Sequence, residues 1–177
     1  MKRTGKALVV AILLVAFTSQ ANAATDGTLG TTSTGDLDIT VTIPDLVMIS
    51  GFVDIAFGVY GGTGDLTSNQ NLCVYRNATA GQYTITATSA EGAFQVEAGA
   101  LTLAYSVYFN DVTGTAGEIA LVYNTATVTQ SGANTTIADC SVGGDSANVH
   151  VTITEANLQA AEPGAYSGTL ILLATPV

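Results

Sequence analysis

His150, Cys73, Cys140 and Arg76 are the side chains of this chain whose chemistry stands out. His150 is the one histidine, in Asn148-Val149-His150-Val151-Thr152-Ile153. Alternation turns it away from the valines, so an exposed strand histidine is expected. A Ser-His-Asp triad would have to use it, yet no Gly-x-Ser-x-Gly elbow occurs. The His and Cys spacing of a zinc site is also absent. Fourteen Asp and Glu residues leave a glycosidase-like carboxylate pair open, since any two can meet in a fold. Asp111 and Glu118 in DVTGTAGE offer oxygens to calcium, but their spacing matches no established loop. A solvated acidic turn is the plainer reading there. Arg76 has two readings: an ion pair with a carboxylate of its own chain, which is the expectation, or an inter-subunit contact. These residues call for no enzyme, no cofactor and no metal.

Composition narrows the class further. The chain has 177 residues, of which 10% are charged and 47% hydrophobic. Its mean hydropathy is +0.41. Disorder goes with the opposite balance. Four basic residues face fourteen acidic ones, so nucleic-acid binding lacks its main energetic term. Three of the four, Lys2, Arg3 and Lys6, lie in the first six residues. They precede the apolar run Ala7–Phe17 and the small-x-small site Ala21-Asn22-Ala23. This three-part pattern predicts a secretory signal peptide over residues 1–23, with a run too short to span a bilayer. No cysteine at the cleavage site points to a lipoprotein. The mature product would keep fourteen acidic residues and Arg76 alone, a formal charge of −13. Without lysine it forms no Lys–Asn isopeptide bond and no Schiff base. Ala174-Thr175-Pro176-Val177 carries no hydrophobic tail with a basic flank, so no membrane span is expected after cleavage.

The elements that must position these residues read as strands. Leu37, Ile39, Val41 and Ile43 alternate with Asp36, Asp38, Thr40 and Thr42, the period of a half-buried strand. Further strand runs are 46–50, 52–60, 72–76, 82–89, 93–97, 101–109, 119–124, 126–130, 147–154 and 165–174. Gly-, Asn- and Asp-rich turns separate them, which predicts an all-β sandwich or barrel. Only residues 155–161 predict a helical turn. Residues 24–36 are small and polar. They lead either into a mobile arm that completes another sheet or simply into the chain's own first strand. In the last run Tyr166, Leu170 and Leu172 face one way, and Ile171 and Leu173 the other. Such a strand is usually covered on both faces, and an uncovered groove beside it would be an aggregation hazard.

Four segments, in order, resemble a known family. LDITVTIPDLV over 37–47 looks like the N-terminal donor strand of chaperone–usher pilins. FVDIAFG over 52–58 resembles the next strand of spore-coat-U-like subunits. LCVYRNATAGQYTITATS over 72–89 and AEPGAYSGTLILLATPV over 161–177 resemble their "C…G-x-Y" and closing segments. The archaic or alternative chaperone–usher branch fits best, and colonisation-factor pilins share the two ends. The resemblance implies an immunoglobulin-like β-sandwich lacking its last strand, over residues 45–177, with a donor-strand extension over 24–44. It implies a periplasmic chaperone and an outer-membrane usher as partners, and self-association into an extracellular fimbrium that serves adhesion and biofilm. Leu37, Ile39, Val41 and Ile43 would be the donor side chains. Tyr166, Leu170 and Leu172 would line the acceptor groove.

One departure accompanies this resemblance. The family's first cysteine is missing from Leu46–Ser50, so Cys73 lacks its usual partner. Two cysteines in an exported chain still predict one disulfide, Cys73–Cys140, with free or intermolecular thiols as the alternative. A monomeric exported adhesin or glycan-binding module, or a coat protein, is the competing functional class.

Overall fold

A computed structural model describes residues 24–177, so the predicted export signal lies outside the described residues. The described chain divides into two units, one ending at Ile43 and the other running from Pro44 to Val177. In the first, the backbone N–H groups of Thr25 and Asp36 each donate to the other's carbonyl, at 2.9 and 3.0 Å. Residues 37–43, predicted as a strand, take no regular secondary structure.

The second unit is an all-β sandwich of antiparallel sheets, as the alternation predicts. Among the described residues it contains β1 (Val47–Ser50), β2 (Leu66–Arg76), β3 (Tyr83–Ser89), β4 (Gln95–Ala98), β5 (Leu101–Ala104), β6 (Ser106–Asn110), β7 (Ile119–Ala120), β8 (Ala147–Ile153) and β9 (Leu170–Pro176). One sheet has the order β1-β2-β8-β6-β7; β3 pairs with β9, and β4 with β5. On its other side β3 is joined by residues 126–130 through single bridges, Tyr83 to Gln130 and Thr86 to Ala126. The predicted strand at 126–130 therefore survives only as an irregular partner of β3.

The period-two pattern explains the core. Val149, Val151 and Ile153 of β8 face inward, as do Tyr83, Ile85 and Ala87 of β3. They meet Leu72, Val74, Val107 and Phe109 in a single cluster. Tyr83 lies edge-on to Phe109, with ring centroids 6.3 Å apart. Burial on this scale is the main favourable term of folding.

Three expectations are corrected. The run 52–60 forms no strand; its Gly58 sits at φ +73°, which breaks an extended ladder. The run 101–109 is split at Tyr105 into β5 and β6. The last run becomes a strand only from Leu170, because Ser167 instead bridges to Glu97. The helical turn falls where expected, as α1 (Glu155–Ala160), capped by the Thr154 side chain, which accepts from Asn157 N–H.

Candidate functional site

Between β8, β9 and the unpaired 52–60 segment lies a cavity of ≈ 1220 Å³. Val149, Val151 and Ile153 of β8 form one wall, and Leu170 and Leu172 of β9 another. Tyr166 lines it too, its hydroxyl donating to the Glu162 carbonyl at 2.8 Å. The three residues predicted for a groove thus share one cavity. Val96, Leu103 and Tyr105 complete its apolar side. Burial, the largest cause, pushes the Tyr105 phenol above its ordinary value, as expected beside apolar walls. Asp54 and Glu162 are the charged residues among the described lining, and both are acidic.

The 52–60 segment is held by a side chain in place of a strand. Gln70 Oε1 accepts from Val53 N–H at 2.7 Å, and Gln70 Nε2 donates to the Val53 carbonyl at 3.0 Å. Among the described residues no strand pairs with the edge of β9 opposite β3. Ile171 and Leu173 point outward from β9 and are exposed. The inner row of this strand lines the cavity and its outer row meets solvent.

The four alternating residues of the first unit are open to solvent. Leu37, Ile39, Val41 and Ile43 are 68, 87, 83 and 76% exposed. Isolated apolar residues at a surface are ordinary, but four in strict alternation would share one face if the segment became a strand.

Where the second unit begins, the chain is clamped. Arg76, only 5% exposed, donates through Nε to Asp45 Oδ1 at 3.1 Å and through Nη2 to Asp45 Oδ2 at 2.7 Å. Its Nη1 donates to the Gln82 carbonyl. Asn77 Nδ2 donates to the Pro44 carbonyl and its Oδ1 accepts from Leu46 N–H, both at 2.8 Å. The intramolecular reading of Arg76 is therefore the observed one. Hydrogen bonding to Arg76 is the first cause holding the Asp45 carboxyl below its ordinary value.

Cys73 and Cys140 form a disulfide, with Cα atoms 5.8 Å apart. Cys140 sits in the left-handed region at φ +53°, and its N–H donates to the Ile137 carbonyl at 3.1 Å. The expected exposed histidine is corrected. His150 does lie on the outer sheet face, but its side chain is only 18% exposed. Its ring stacks on Tyr108 at 5.4 Å, and Nδ1 lies 3.0 Å from Glu118 Oε1. Glu118 is thereby engaged by His150, while Asp111 Oδ2 accepts from Ser131 N–H at 3.2 Å. Among the described residues no group of three or more His, Cys, Asp and Glu side chains is arranged to hold a metal.

Sequence reasoning missed the cavity's β8 wall of Val149, Val151 and Ile153. Alternation in 147–153 marks valines as inward-facing, but nothing in their order says which element stands opposite.

No protein-family model matches the chain. No curated protein matches it either. Among solved structures it resembles a chain from a study of a chaperone–tip adhesin complex in CFA/I fimbriae biogenesis, at 14% identity and a TM-score of 0.52. The match covers 74% of this chain and 41% of that chain, so this chain spans less than half of that neighbour's length. The likeness is one of fold. Among the described residues no helix is long and apolar enough to cross a membrane.

Proposed function

We propose that this protein is a non-enzymatic structural subunit of an extracellular fimbrium, polymerising non-covalently by donor-strand exchange. One observation carries the reading. An apolar cavity lies beside an unpaired strand edge, and the same chain carries a solvent-exposed run of alternating aliphatic residues. In this reading Leu37, Ile39, Val41 and Ile43 of one copy enter the cavity of the next, against Tyr166, Leu170 and Leu172. Residues 24–44 act as the extension and 45–177 as the body. Strand addition supplies main-chain hydrogen bonds to β9. Each aliphatic side chain buried adds about 1.5–3 kcal/mol, so four support a durable joint. A periplasmic chaperone would cover the cavity before assembly, and an outer-membrane usher would order the exchange. The sandwich would then be an immunoglobulin-like fold that lacks its final strand until a neighbour provides it.

The experiment is replacement of Ile39 and Val41 by Asp in a strain that exports and assembles the protein. Two carboxylates in an apolar cavity cannot be solvated there. The variant should reach the periplasm and give no SDS-resistant ladder on unheated gels. Ladders that persist would refute the donor-strand assignment and favour a monomeric exported module.

A further inference from the structure

We infer that the outer face of the β3–β9 sheet, turned away from the cavity, is a side-by-side contact with a second copy of this chain, of the kind that bundles fibres laterally. The contact itself needs only the sandwich. Its extension to bundles rests on the donor-strand reading above, from which it differs in face, in residues and in direction.

The face is built by period-two alternation. β3 buries Tyr83, Ile85 and Ala87 and turns Thr84, Thr86 and Thr88 the other way. β9 turns Ile171, Leu173 and Thr175 to that same side, since Thr84 pairs with Thr175, Thr86 with Leu173 and Thr88 with Ile171. On the opposite edge of β3, the bridge from Thr86 to Ala126 puts Ala126 on this face, with Val128 two residues on. Threonine and aliphatic side chains thus form three adjoining rows. Val128, Leu173 and Ile171 are 76, 58 and 47% exposed. Scattered exposed aliphatics are ordinary, but contiguous apolar surface marks an interaction site.

Charge selects the partner. Residues 24–177 hold fourteen carboxylates against Arg76, which is buried. Two copies therefore repel each other wherever carboxylates face carboxylates. Within residues 24–177 the three longest stretches free of Asp, Glu, Lys and Arg are 77–90, 119–138 and 163–177. They are remote in sequence, and the fold joins them here: β3 comes from the first, its bridged 126–130 partner from the second and β9 from the third. The face therefore lets two copies meet without setting carboxylate against carboxylate. A cationic partner would be drawn to the carboxylates elsewhere on the chain, and an anionic one finds no cation here.

Two such faces also match each other. A face that meets its own copy about a two-fold axis must be self-complementary. Rows of threonine methyl and aliphatic groups are, and sheets pack face to face through such side chains at about 10 Å. A single face three strands wide makes a small contact, which is weak between free chains. Between two fibres lying alongside, the contact recurs at each subunit, and each one formed raises the effective concentration of the next.

The test is Ile171→Asp with Leu173→Asp in the assembling strain. Both side chains are exposed, so the core stays intact. Val128→Asp repeats the test outside β9, and decides it should the β9 variant fail to assemble. Sheared fibres are imaged by negative-stain electron microscopy. They are also pelleted at low speed at roughly 0.01 and 0.15 M salt, between which the Debye length falls from about 30 to about 8 Å. Wild-type fibres should bundle, and their pelleted share should rise with salt, because screening removes the repulsion and leaves the apolar contact. The aspartate variants should give single fibres and a pelleted share several-fold lower at the higher salt, with the SDS-resistant ladder unchanged. Leu173→Met should bundle like the wild type. Bundling unaltered in the aspartate variants, or wild-type bundles that dissolve as salt rises, would overturn the assignment. Loss of the ladder in both aspartate variants would do the same, by placing the outer row in the end-to-end joint. Ladder and bundle read out the two proposals separately. A ladder persisting in the Ile39→Asp, Val41→Asp protein sinks donor-strand exchange, while its fibres still report on this face. A ladder lost there, with bundles unaltered in the outer-row variants, sinks this contact alone.

Discussion

Arg76 and Asp45 meet side-on, two guanidinium nitrogens against two carboxylate oxygens at 3.1 and 2.7 Å. The contact is asymmetric, with the arginine side chain 6% exposed and the aspartate 48%. Arg76→Met should therefore destabilise the folded body by about 1–3 kcal/mol, the range for losing charge-assisted hydrogen bonds. Its chief loss is the bond to the Gln82 carbonyl and the paired carboxylate. Urea unfolding of the purified protein measures it.

The same pair predicts a response to acid. The Asp45 carboxyl titrates below its ordinary value of 3.8 in the folded state. A depressed folded value means the contribution is present above the unfolded value and lost as pH falls through the folded one. Wild-type stability should drop below about pH 4, and Asp45→Asn should flatten that part of the profile. Melting temperatures from pH 2 to 6 compare the two.

Arg76 is also the single Lys or Arg in residues 24–177, and it is buried. Trypsin should leave the folded protein intact. After unfolding without reductant, one cut follows Arg76, between Cys73 and Cys140. The two fragments should stay joined and separate only on reducing gels.

Removing that disulfide should cost more. The bond closes a separation of 67 residues, which corresponds to about 4 kcal/mol in the chain-entropy model. Cys73→Ser with Cys140→Ser should lower the unfolding free energy by this order, read from denaturant midpoints.

Tyr83 offers a contrast. Its ring is fully buried, and its hydroxyl has no hydrogen-bond partner among the described residues. Burial, with the nearby Asp111 carboxylate as a smaller cause, raises its phenol well above the ordinary value. Tyr83→Phe should thus keep or slightly raise the melting temperature, while Tyr83→Ala should cost about 3–5 kcal/mol.

Much of the fold was legible. Alternation in 83–89 and 147–153 marks inward rows, and those rows form the core. Two cysteines in a chain read as exported sufficed to pair Cys73 with Cys140. The strand reading of 52–60 failed because apolar content resembles strand content, whereas a strand also needs a neighbour's backbone, and here Gln70 supplies only a side chain. His150 was misjudged because alternation tells which face a residue occupies, not what covers that face. Tyr108 and Glu118 come to it from β6 and from just before β7.

The order of residues alone determined the local properties: the basic-then-apolar pattern of residues 1–23, the excess of negative charge, the single buried-row periodicity of each strand and the alternation of aliphatic residues from Leu37 to Ile43. These depend on side-chain chemistry and on spacings of two, which a linear string contains. Tertiary structure decided what depends on distance between remote segments. It brought Tyr166, Leu170 and Leu172 opposite Val149 and Val151 around one cavity, and it spent the only cation of residues 24–177 on Asp45. Those meetings follow from sheet order and loop paths, in which a residue's partner is chosen by packing across the whole body rather than by its neighbours along the chain.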